Sequence, residues 1–95
     1  MKNVLILSVD VEIAHVIHRL VNGYKGFKGK TINSLDQLLP AIHESAFDIL
    51  LLGAGFTTAQ ETEIKAIASH HAPGLKVIEH FGGGSGLLLE ELHRA

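Results

Sequence analysis

Two predominantly apolar runs, Val4-Leu5-Ile6-Leu7 and Phe47-Asp48-Ile49-Leu50-Leu51-Leu52, constrain this chain more than any other feature. A strand with one wet face alternates apolar and polar residues, whereas a strand covered on both faces does not need to. Runs of this kind predict central strands of a parallel sheet with helices on either side. The first is closed by Ser8-Val9-Asp10 and the second is left at Gly53-Ala54-Gly55.

The segments between and after these runs supply the helices. Ile13, Val16, Ile17, Leu20 and Val21 recur at helical spacing, with Glu12 in the first turn and Asn22-Gly23 as the stop. Phe27-Lys28-Gly29-Lys30-Thr31-Ile32 is short, lysine-bearing and broken by glycine, as a protected edge strand is. Ser34-Leu35-Asp36-Gln37 reads as a capping box ahead of Leu38, Leu39, Ile42 and Ala46, with Pro40 expected to kink that helix or delay its start. Thr57 or Thr58 is expected to cap a third helix with Glu61 completing its box, and Ile64, Ile67 and Ala68 form its inward stripe. Leu75 to His80 reads as a fourth strand, and Gly82 to Gly86 leads to a short last helix with Leu87, Leu88, Leu89 and Leu92. Strict alternation of strand and helix predicts a three-layer α/β domain with a four-stranded parallel sheet in the order 2-1-3-4.

Composition narrows the chemistry. With 95 residues, one domain spanning 1–95 is expected. The 46% hydrophobic and 19% charged residues exclude a disordered chain. The mean hydropathy of +0.27 suggests that some apolar surface is covered by a second copy. No apolar run reaches the roughly 18 to 20 residues that span a bilayer, and Met1-Lys2-Asn3-Val4 leads into a strand, so a soluble, cytoplasmic protein without membrane contact is expected. The absence of cysteine removes thiolate, disulfide and iron-sulfur chemistry. A net charge of -2 and a basic patch limited to Lys25, Lys28 and Lys30 argue against a nucleic-acid partner.

Taken end to end, Asn3 to Asp10, Phe47 to Gly53 and Lys76-Val77-Ile78 resemble the first, third and fourth strands of the receiver domain of two-component response regulators, a flavodoxin-like fold. The likeness is one of pattern and runs from about Asn3 to Leu92. The resemblance implies an acidic pair after the first strand, and Ser8 and Val9 stand there with Asp10 nearby. It implies a phosphoacceptor aspartate closing the third strand, and Gly53 stands there. Asp48 opens that strand, roughly 16 Å away at ~3.3 Å per residue. The hydroxyl residue expected after the fourth strand falls near Phe81, and the fifth strand with its lysine has no counterpart. A receiver-like domain without phosphotransfer, truncated after its fourth helix, is the expectation: a protein-interaction or dimerisation module in signalling, not an enzyme, with no cofactor and no metal.

In this winding a missing fifth helix leaves strands three and four bare on one face, which points to a homodimer, or another signalling protein, against Val77, Glu79, Phe81, Leu88 and Leu92. The alternative is a small nucleotide- or anion-binding domain. Gly53 and Gly55 in a turn after a strand, with Glu79 ending the next strand, are similar to a dinucleotide fingerprint, but Thr58 replaces its third glycine and Glu61 and Glu63 stand at the helix start, so a plain tight turn is the better account. Gly83 and Gly84 in the last glycine run suit an anion nest or a hinge. Ser8, Asp10 and His80 should all reach the carboxyl edge of the sheet, where such folds bind ligands. Of the seven histidines, His15 and His18 lie on the first helix away from its apolar stripe, His70-His71 at a helix end, and His43 and His93 on the surface.

Overall fold

The computed structural model describes residues 2–53 and 56–79. Strand β1 (Lys2–Leu7), helix α1 (Val11–Gly23), β2 (Phe27–Ile32), a single 3-10 turn (Leu35–Gln37), α2 (Leu38–Glu44), β3 (Ile49–Leu52), α3 (Thr58–His71) and β4 (Lys76–Glu79) follow in order. The four strands form one sheet in the order β2-β1-β3-β4, every pair parallel, as the alternation of elements predicts. The strand register sets Leu7 beside both Ile32 and Leu52, so β1, β2 and β3 end level with one another.

Three layers result. Val4, Ile6, Ile49 and Leu51 point to one face and pack with Ile17 and Val21 of α1 and with Phe27. Leu5, Leu7, Leu50 and Leu52 point to the other and pack with Leu38 and Ala41 of α2 and Ile64 and Ala68 of α3. The chain steps from β1 outward to β2, then reverses across the sheet to β3 and β4. A crossover keeps its hand through such a reversal only by changing face, which is why α1 is the one described helix on its side of the sheet.

Local details depart from the sequence reading. Helix α1 buries Ala14, Ile17 and Val21 and leaves Ile13 and Val16 exposed, so it is rolled relative to the expected stripe. Ser34 makes no side-chain cap; the Gln37 side chain instead accepts from the Asn33 amide at 2.9 Å. Helix α2 starts at Leu38, which leaves Pro40 in its first turn where no intrahelical amide is needed. It ends at Glu44, so Ala46 lies beyond it, and Leu39 is exposed. The box on α3 is Thr57 with Gln60 rather than Glu61, both reciprocal bonds being present at 3.0 and 3.2 Å. Strand β3 is not bare on the α1 side, since Ile49 and Leu51 are fully buried. On β4, Val77 and Ile78 are half-buried against opposite faces' clusters.

Candidate functional site

The carboxyl edge of β1 and β3 is the place where a flavodoxin-like fold holds ligands, because neighbouring connections leave in opposite directions there. Here that edge is knit shut by backbone. The Gly53 amide donates to the Leu7 carbonyl at 2.8 Å and the Ser8 amide to the Ile32 carbonyl at 3.3 Å, extending the sheet one residue past the assigned strands. Ser8 has no exposed surface, and its hydroxyl donates to the Asp10 carbonyl at 3.2 Å. A Cβ placed on Gly53 would lie 2.8 Å from Ser8 Cβ and 2.9 Å from its Oγ, closer than carbon and oxygen atoms approach. Ser8 and Gly53 therefore meet, a contact the sequence reading did not anticipate, and Ser8 fills the space a side chain at position 53 needs.

Asp10 is employed locally. Its Oδ1 accepts from the amides of Glu12 at 3.0 Å and Ile13 at 3.1 Å, which makes it the N-cap of α1. Asp48 sits at the opposite end of β3, where its Oδ2 accepts from the Asn3 amide at 2.8 Å. The two carboxylates nearest the central strands thus both satisfy backbone amides.

The described start of α3 offers little to an anion. The Gln60 amide is taken by Thr57 Oγ1, and Glu61 stands in the first turn of the helix. Glu79 at the end of β4 is paired with Lys65 of α3 at 2.6 Å, and this hydrogen bond holds the Lys65 ammonium above its ordinary value of 10.5. Of the candidate ligand and interface residues, Ser8, Asp10, Gly53, Val77 and Glu79 are placed by the structure. Gly55, His80, Phe81, Gly83, Gly84, Leu88 and Leu92 lie outside the described residues.

Among the histidines, His18 departs from the sequence expectation. His18 does not face solvent: it is half-buried, with Nδ1 2.8 Å from Thr31 Oγ1 of β2. It borders a cavity of about 260 Å³ with Val11, Ala14, His15, Thr31 and Asn33. His43 of α2 meets His71 of α3 edge-on at a ring separation of 5.3 Å, and His71 meets His70 at 4.9 Å. Spacing in sequence carries no sign of that cross-helix contact. Among the described residues no group of three or more histidines and carboxylates is arranged to hold a metal. None of the described helices is long and apolar enough to cross a membrane.

The parallel order β2-β1-β3-β4 with helices on both faces defines a flavodoxin-like, receiver-like fold. Among solved structures, the chain is similar to a sensor protein from Polaromonas sp. JS666, with a TM-score of 0.79 and 14% identity, covering 99% of this chain and 94% of that one. It is also similar to a pilus assembly-related protein from Burkholderia pseudomallei K96243, with a TM-score of 0.68 and 22% identity over 98% of this chain and 72% of that one. At such identities the likeness is one of fold. No family model matches the chain, and no curated protein does.

Proposed function

We propose that this chain is a receiver-like domain that works through protein contacts in signalling, as an interaction or dimerisation module, and not through phosphotransfer. The observation that carries the reading is the contact between Ser8 and Gly53. Where the receiver pattern calls for an acid and a phosphoacceptor, this chain has a buried serine packed against a glycine, and a side chain at 53 meets Ser8 at 2.8 Å. Asp10, the nearby carboxylate, is occupied as a helix cap, and a single carboxylate is a poor magnesium site. A sensor protein among the structural neighbours supports a place in signalling.

The test is incubation with acetyl phosphate and magnesium, read by intact mass and by thermal shift. The expected result is an unmodified chain whose melting temperature does not respond. A phosphoryl adduct on an aspartate, or a magnesium-dependent shift abolished by D10A, overturns the reading.

A further inference from the structure

The roll of α1 leaves an apolar flank without a function in the core. Ile13 is 41% exposed and Val16 45% exposed, while Leu20, one turn on, is half-buried against the core cluster beneath them. At ~100° per residue these three share one side of the helix. The opposite side is committed to β2, through His18 to Thr31 and through Asn22, whose side chain bonds both the amide and the carbonyl of Gly29. Because β3 and β4 lie on the far side of β1 from β2, the flank of Ile13, Val16 and Leu20 looks out over that half of the sheet.

Charge along this flank is arranged with a twofold pattern. Glu12 and Arg19 are seven residues apart, two helical turns and ~10.5 Å along the axis, and they border Val16 on the same side. Neither makes an ion pair among the described residues. If two copies of α1 lie antiparallel with the twofold axis near Val16, Val16 packs on Val16, Ile13 on Leu20, and Glu12 of each copy stands opposite Arg19 of the other. The same patch is thus complementary to itself in shape and in charge, as an isologous contact requires.

Resting on the protein-contact reading above, we infer that the partner of this face is a second copy of the chain, held by antiparallel pairing of α1 about Val16. The surface differs from the β4 region to which the missing-helix consideration pointed. One helix pair contributes less than the ~800 Å² per partner of a standard interface, so association is expected to be reversible and concentration-dependent.

Sedimentation equilibrium over a wide concentration range tests this, with circular dichroism confirming that each variant is folded. Val16 is exposed, so V16E is expected to fold and to be monomeric throughout. E12R places like charges opposite each other twice and is expected to weaken the dimer about tenfold or more. Combining it as E12R/R19E restores opposite charges and recovers the wild-type dissociation constant, a recovery that only the antiparallel pairing produces. A wild-type dimer untouched by V16E overturns the α1 pairing while leaving protein contact as the function. A monomeric wild type also overturns the pairing, and the acetyl phosphate assay then decides the phosphotransfer reading separately.

Discussion

Replacing Gly53 by alanine isolates the feature on which the functional reading rests. The backbone of Gly53 does not need glycine, since Gly26 is the one described glycine with a positive φ, so any cost of G53A is steric. The new Cβ would lie 2.8 Å from Ser8 Cβ and 2.9 Å from Ser8 Oγ, with the Leu7 carbonyl oxygen at 3.5 Å. Ser8 is fully buried and held in the sheet by its own amide, so it cannot swing aside. Overpacking of this kind costs about 1–3 kcal/mol, offset by about 0.4–1 kcal/mol from the smaller entropy of the unfolded chain. The net expectation is a loss of about 1–2 kcal/mol, which lowers a urea midpoint by roughly 1 M at an m-value near 1.5 kcal/mol/M. The double variant S8G/G53A removes the opposing Cβ and should show a coupling energy of at least about 1 kcal/mol in a mutant cycle. S8A/G53A should recover little, because alanine keeps the offending Cβ. A G53A protein that unfolds at or above the wild-type midpoint refutes the contact, and with it the reason why a phosphoacceptor cannot be accommodated at 53.

Three further outcomes are expected. D10A strips the cap from the Glu12 and Ile13 amides and should cost about 1 kcal/mol, lowering the melting temperature by about 4–8 °C, whereas D10N should retain most of it. G26A forces a side chain onto φ +90 with open space around it, so a loss of about 1–2 kcal/mol in urea unfolding measures backbone strain alone. Lys65 is raised by its hydrogen bond to Glu79, and a raised base stabilises the fold below its unfolded value and loses that contribution as pH rises through the folded one. The stability advantage of wild type over E79Q should therefore be level near neutral pH and fall above about pH 10, and the Lys65 resonance should titrate lower in E79Q than in wild type.

Strand order and layers were legible because both central runs are predominantly apolar, a pattern with few solutions for a chain that alternates strand and helix. The limits of β2, Phe27–Ile32, were legible for a different reason, since a short lysine-bearing segment broken by glycine reads as a protected edge strand. What misled was ambiguity between neighbouring frames. In α1, Ile13-Val16-Leu20 and Ala14-Ile17-Val21 both repeat at helical spacing, and hydrophobicity favours the first while close approach to the sheet favours the small Ala14, only 2% exposed. The same roll carries His18 from the expected solvent side to Thr31. Before α3, consecutive threonines allow two caps, and choosing Thr57 moves the third helical position from Glu61 to Gln60. For the candidate site, the identities of Ser8 and Gly53 showed which side chains were missing, but only the sheet register revealed that the two residues press against each other.

That contact links the chemistry of the chain to the surface it has left to use. A flavodoxin-like sheet acquires a ligand site when the residues just past β1 and β3 splay apart and their side chains converge on a crevice. Here the backbone bonds continue one residue further, Ser8 is wholly buried, and Gly53 contributes no side chain. The carboxyl edge between the central strands is consequently part of the packed structure. On the proposed protein-contact reading, recognition falls to the helical layers, whose exposed apolar residues are unevenly placed among the described residues. Helix α1 presents Val11, Ile13 and Val16 to solvent, α2 presents only Leu39, and α3 presents no large apolar residue. Covering Ile13 and Val16 with a second copy would remove apolar surface from water while bringing Glu12 and Arg19 together, whereas the corresponding face of α3 has no such gain to offer. Among the described residues, α1 is thus the element best suited to the proposed pairing, on the face where it is the one described helix.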